Sequence, residues 1–141
     1  SSVQLDDPQD LIAAVERSQT HPRSWQPAIE LGDALYRAGQ PHQAIEAYER
    51  ALSRVPDRTE AVVGRLRVYT HYDLSGGERI AQEALDLDYG DVRITAAIAD
   101  LFDATGHPKK AVQALDAAWT EFPGNGILRR ARLQRDLAVE L

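Results

Sequence analysis

The chain has no cysteine and no methionine. Without thiols there is no disulfide, no thiolate metal site and no cysteine nucleophile. Compartment is not selected by this absence: cytoplasm and periplasm both suit a cysteine-free chain, the cytoplasm slightly better. With no initiator methionine, the chain reads as a processed product or a piece of something longer. Its first residues, SSVQLDDPQD, have neither the basic start nor the apolar run of a secretory signal. No window approaches the roughly 18–20 unbroken apolar residues of a membrane-spanning helix, so membrane insertion is not expected. Lysine is nearly missing too, with two residues, Lys109 and Lys110, against fourteen arginines. The net charge of −6 and the lack of a basic cluster argue against sequence-independent nucleic-acid binding. The four histidines, His21, His42, His71 and His107, are scattered and show no H-x3-H spacing, so no metal site is expected. No G-x-S-x-G elbow or phosphate-binding glycine loop is found. Catalysis and cofactors are therefore not expected.

What the chain does contain is an internal repeat. Gly39–Pro56, GQPHQAIEAYERALSRVP, recurs as Gly106–Pro123, GHPKKAVQALDAAWTEFP, at a constant offset of 67 residues. Leu31, Asp33 and Leu35 keep that offset with Ile98, Asp100 and Phe102. A weaker copy, Thr59–Asp91, fills the interval, so the unit is 33 or 34 residues long.

Helical spacing and punctuation place about eight helices joined by short loops. Asp7-Pro8 opens the first, with Leu11, Ile12, Ala14 and Val15 apolar, and His21-Pro22 closes it. Ser24 caps a second helix over about 25–38. Gly32 inside it costs about 1 kcal/mol against alanine and makes sense where another helix packs too closely for a side chain. Gly39 ends that helix and Pro41 starts the third, whose inward face is Ala44, Ile45, Ala47, Tyr48, Ala51 and Leu52. Asp57-x-x-Glu60 and Ser75-x-x-Glu78 read as capping boxes for the middle pair. That pair carries Ala61, Val62, Leu66 and Tyr69, then Ile80, Ala81, Ala84, Leu85 and Leu87. Gly77 and Ala81 replace larger residues of the other copies, so its helices are expected to sit closer and fray more easily. Asp91 caps a helix with Ile94, Ala97, Ile98, Leu101 and Phe102 on one face, and Pro108 starts its partner. Asn125 caps the last helix, whose apolar side is Leu128, Ala131, Leu133, Leu137 and Leu141. Arg129, Arg130, Arg132 and Arg135 form its wet face.

These residues resemble the tetratricopeptide repeat family, whose 34-residue consensus runs W-x2-L-G-x2-Y, then A-x3-F, then P. Leu31-Gly32-x2-Leu35, Ala44-x3-Tyr48, Ala51 and Pro56 fall at its distances, as do Ile98-Ala99-x2-Phe102, Ala111-x3-Leu115, Ala118 and Pro123. The middle copy keeps Tyr69 and Ala84 but has no closing proline. The resemblance implies an all-α fold, a right-handed superhelical stack of antiparallel helix pairs. Its expected divisions are an N-terminal half-repeat at 1–24, repeats at 25–58, 59–91 (degenerate) and 92–125, and a capping helix at 126–141.

In that family the first helix of each pair lines a concave groove. Carrying those positions across gives Gln26, Ile29, Asp33, Tyr36 and Arg37 from the first repeat. The second gives Glu60, Val63, Arg67, Thr70 and His71. The third gives Arg93, Ala96, Asp100, Asp103 and Ala104. Ile29, Tyr36, Val63 and Ala96 would take apolar side chains of a bound peptide. Arg37 and Arg67 would take a carboxylate, and Asp33, Asp100 and Asp103 a basic residue. The lysine/asparagine/arginine clamp by which some family members hold chaperone tails is not matched: Ile29, Val63 and Asp33 stand where its donors belong. The resemblance implies a bacterial-type, non-catalytic scaffold that holds a peptide or helix of a partner protein. Self-association, as a homo-oligomer, is one alternative. An accessory domain of a larger enzyme or of a secretion or assembly protein is the other.

Overall fold

A computed structural model describes residues 8–140; the expected cap Asp7 and the apolar Leu141 lie outside the described residues. Among the described residues all regular structure is helical, in eight helices. These are α1 (Pro8–Thr20), α2 (Trp25–Arg37), α3 (Pro41–Arg54), α4 (Thr59–Tyr72), α5 (Gly77–Leu87), α6 (Val92–Ala104), α7 (Pro108–Glu121) and α8 (Gly126–Glu140). The chain divides into two compact units between Val68 and Tyr69, within α4.

In the first unit α2 and α3 form an antiparallel hairpin, and α1 packs on α2. The turn between α2 and α3 is short because Gly39 takes a left-handed conformation at φ +77°. That conformation lets Gln40 N–H reach back to the Leu35 carbonyl at 2.9 Å, satisfying one of the orphaned carbonyls of the helix end. Pro41 then occupies the first turn of α3, where its missing N–H has no bond to lose. The expected inward face of α3 is buried at Ala44, Ile45, Ala47, Tyr48 and Ala51; Leu52 is half-buried. Tyr48 is completely buried. The first residues of α4 close the unit, with Ala61, Val62 and Leu66 in the core.

In the second unit α6 and α7 repeat the hairpin, α5 packs on α6, and α8 packs on both α6 and α7. The same turn recurs: Gly106 has φ +83°, and His107 N–H donates to the Phe102 carbonyl at 2.8 Å. Phe102 and Leu101 are fully buried. Asp91 caps α6 by accepting from Arg93 N–H at 2.8 Å. Asn125 caps α8 by accepting from the N–H groups of Ile127 and Leu128 at 2.9 and 3.2 Å.

Two expected capping boxes do not form. The cap residue of α5 is Gly76, at φ +85°, and it makes no side-chain cap bond, so Ser75 stands one residue too early. At α4 the N–H groups of Ala61 and Val62 close on the Arg58 carbonyl, leaving Asp57 a residue outside the helix. Ser24 does occupy the cap position of α2, but its hydroxyl bonds no backbone N–H there. The apolar faces are also narrower than the pattern suggests. Ile12, Leu87, Leu133 and Leu137 are all more than half exposed. α1 rests on α2 and α5 on α6, and even α8, which meets both α6 and α7, buries only a stripe; these four side chains fall beyond it. Gly77 does mark a close approach, but to α6: an added Cβ would lie 2.9 Å from Thr105 Cγ2 and 3.2 Å from Leu101 Cδ1.

Candidate protein-interaction surface

In the first unit the expected surface residues come from α2 and α4. Gln26 and Glu60 are exposed, and Asp33, Tyr36, Arg37, Val63 and Arg67 are half-buried. Ile29 is different: it is 8% exposed and belongs to the core, so it offers no open side chain. Its neighbour on the helix, Ala28, is buried as well, and together they seat α2 within the unit.

Three of these residues are brought together. The Tyr48 hydroxyl, at the end of a buried ring, donates to Asp33 Oδ1. Arg67 reaches the same carboxylate at 3.6 Å and the Tyr48 hydroxyl at 3.5 Å. Its guanidinium also lies 4.4 Å from the centre of the Tyr36 ring. Burial, and then the adjoining Asp33 carboxylate, push the Tyr48 phenol well above its ordinary pKa. The Asp33–Arg67 pair is over a third exposed on each side, so its net worth is about 0–1 kcal/mol. Its role is positional: it holds Arg67 flat against Tyr36. Asp33 is thereby occupied and not available to a basic residue without competing with Arg67.

Beside this cluster, α1 and α2 border a shallow cleft of about 360 Å³. Ala13, Ala14 and Ala34 contribute small side chains, and Asp10, Arg17, Glu30, Asp33 and Arg37 contribute charge. Arg17 is bound to Glu30 at 3.1 Å. Arg37 forms no ion pair among the described residues.

In the second unit Thr70, Ala96 and Asp103 are half-buried, and His71, Arg93, Asp100 and Ala104 are exposed. Asp100 and Asp103 are both taken by Arg135 of α8, at 3.0 and 2.7 Å. Burial raises the Asp103 carboxyl, against the pull of Arg135, which lowers it. Arg135 corrects the expectation of a wet arginine face on α8: its side chain is only 12% exposed and points at α6. It lies four residues after Ala131 and seven after Leu128, on the buried stripe of α8. Sequence periodicity placed it there, but its charge type argued for solvent. Each unit thus uses the same device, an aspartate on the first helix of a hairpin neutralised by an arginine from a later helix.

Sequence reasoning missed two features. Arg58 stacks on Trp25, its guanidinium carbon 3.8 Å from the ring centre. Gly64 of α4 lies as close to Tyr48 as Gly32 does; a second glycine inside a helix was the available signal.

Helical hairpins repeated at constant spacing, with charges paired from one hairpin to the next helix, define a helical-repeat protein. Residues 29–71, covering most of α2, all of α3 and nearly all of α4, match the model of the tetratricopeptide repeat family. With the all-helical architecture, residues 29–71 are similar to a tetratricopeptide repeat, a repeat type associated with scaffolds for protein–protein interaction. No curated protein matches the chain.

Proposed function

We propose that the first unit holds an extended or helical segment of a partner protein against α2 and α4, and that an acidic side chain of that segment pairs with Arg37. The observation that carries this reading is the uneven state of the charges around the α1–α2 cleft. Arg17 and Asp33 are already paired, while Arg37 of α2 and Asp10 of α1 border the cleft without an ion pair among the described residues. A guanidinium has five donors in a planar fork and binds a carboxylate in two parallel hydrogen bonds. Tyr36 and Val63, both half-buried, supply apolar surface for neighbouring side chains of the bound segment. Gln26 and Glu60, the remaining expected positions of the first unit, are proposed as secondary contacts, and Thr70, His71, Arg93, Ala96, Asp100 and Asp103 as a separate contact surface of the second unit. The geometry ranks Asp100 and Asp103 lowest, because Arg135 holds them.

The test is an array of short peptides of varied charge, probed with the chain and with Arg37→Glu. Wild type is expected to select peptides with an acidic residue next to apolar ones, and Arg37→Glu to lose them. An unchanged selection by Arg37→Glu sinks the reading. Arg67→Glu is the poorer probe, because it also disturbs the Tyr48–Asp33 contact.

A further inference from the structure

The last residues of α1, α2 and α3 recur 67 residues later as the last residues of α5, α6 and α7, so the two units can be compared position by position. In the second unit the end of α5, the turn after it, α6 and α7 enclose a cavity of about 100 Å³. Its walls are apolar, with Ile94, Ile98, Ala114 and Phe122 among them, and Ala84, Gly90 and Ala117 leave it room. The first unit has Arg17, Arg23 and Arg50 at those last three positions. The charged residues at the cavity are Asp88, Asp91 and Glu121, with no cation in its lining. Asp91 is engaged by Arg93, 3.6 Å away. Asp88 and Glu121 are exposed and form no ion pair among the described residues. Their counterparts in the first unit are His21 and Arg54, and no counterpart of any lining residue is acidic. Arg17 is bound to Glu30, but Arg23, Arg50 and Arg54 are exposed and form no ion pair among the described residues. One chain thus carries a positive surplus and a negative surplus at the same place in its two units.

We infer that this cavity takes an arginine from the first unit of a second copy of this chain, and that Arg54 is the residue that enters. Two observations select that occupant. The cavity is open where the other unit carries arginines, and its two free carboxylates call for a cation that the same chain holds in surplus. Arg54 is the last residue of α3 and exposed, so its side chain is free to extend. Its methylene stem suits the apolar wall of Ile98, Ala114 and Ala117. Its planar fork of five donors meets Asp88 from the turn and Glu121 from α7, which no cation of their own chain answers. Arg50, one helical turn earlier on the same side of α3, adds its charge. Unlike faces attract in this contact, whereas two arginine faces or two carboxylate faces repel. One side chain in one cavity is a small contact, so the association is weak and depends on concentration. Arg37 takes no part, so this inference and the preceding proposal stand or fall separately.

The test is sedimentation velocity on the full chain, at concentrations up to about 100 μM, where weak contacts show. Wild type is expected to associate reversibly. Arg54→Glu and Glu121→Arg are each expected to weaken association by about tenfold or more, since each sets like charges against one another. A mixture of the two variants is expected to associate again, because the exchanged charges then oppose one another across the contact. Both positions are exposed, and circular dichroism confirms that the variants stay helical. Arg37→Glu is expected to associate like wild type; if it does not, the contact lies elsewhere and the inference fails. A wild type that stays monomeric overturns it, as does a mixture that associates no better than its components. An acetylated arginine peptide that binds wild type but not Glu121→Arg, while the chain remains a monomer, also overturns it and assigns the cavity to an arginine of another protein.

Discussion

Gly64 stands against the ring of Tyr48 with no room for a side chain: a Cβ added there would lie 2.5 Å from Cζ and 2.6 Å from Cε1. Gly32 faces the same ring, its added Cβ 2.7 Å from Cε1 and 2.8 Å from Cδ1. One buried tyrosine on α3 thus sits between two helices, α2 and α4, each brought close by a glycine. Two interior glycines cost roughly 1 kcal/mol of helix propensity apiece, and the close packing of an aromatic ring offsets that.

Gly64→Ala is expected to destabilise the protein by about 1–3 kcal/mol despite its better helix propensity, because the ring has no flexible end to move aside. Denaturant unfolding checks this. In a Tyr48→Ala background the same substitution is expected to become neutral or stabilising, since the obstructing ring is gone. If Gly64→Ala costs as much there as in wild type, the steric account fails.

Tyr48→Phe keeps the ring and removes the hydroxyl that Asp33 and Arg67 share. The expected cost at neutral pH is about 1–2 kcal/mol, that of losing one hydrogen bond to a charged group. The alkaline limb is more specific. Tyr48 has a folded pKa raised above the unfolded value of about 10, chiefly by burial. Its protonated form therefore stabilises the fold fully below that pH, and the contribution is lost as pH rises from there through the folded pKa. Wild type should lose stability with this slope above about pH 10, and Tyr48→Phe should show a shallower loss.

Glu78 accepts from Lys110 at 2.7 Å and lies 3.1 Å from His107. The Lys110 hydrogen bond is the main cause that lowers its pKa below the usual carboxylate value. A depressed folded pKa stabilises above the unfolded pKa, and the contribution disappears as pH falls through the folded value. Carboxyl NMR should find Glu78 titrating low in wild type and moving up in Lys110→Ala. A Glu78 shift that is the same in both proteins rules out Lys110 as the cause.

Arg135 holds two carboxylates while nearly hidden from solvent. Arg135→Ala is expected to cost about 1–2 kcal/mol, between the values for exposed and buried pairs, because Asp100 and Asp103 keep some access to water. It should also raise the Asp103 pKa further, since burial already raises it and the opposing charge is removed. With a raised folded pKa, stability declines as pH climbs through that value, and the decline should be steeper in the variant. An unmoved Asp103 titration would contradict the pairing.

Much of the fold was legible because the helix signals are local. Gly39 and Gly106 occupy the left-handed position their turns need, Pro41 and Pro108 start helices, and Asp91 and Asn125 cap them. Each of these depends on a few neighbouring residues and little else. Ser75 misled because Gly76 next to it adopts a conformation open to glycine and takes the cap itself. The candidate surface was only partly legible. Position within the repeat named Asp33, Tyr36 and Arg67, which the structure brings together around Tyr48, but it also named Ile29, which the core absorbs. It assigned Asp33, Asp100 and Asp103 to a partner although this chain's own arginines hold them.

By itself the sequence determined the helices, their ends and the spacing at which they recur, since these follow from backbone preferences and apolar periodicity within single turns. The tertiary structure alone decided which charges remain free. A guanidinium on a long flexible stem can reach carboxylates on its own helix, on a neighbouring one, or none. Only the packing distance between helices leaves Arg37 and Arg54 without a carboxylate among the described residues while Arg67 and Arg135 are spent inside the fold.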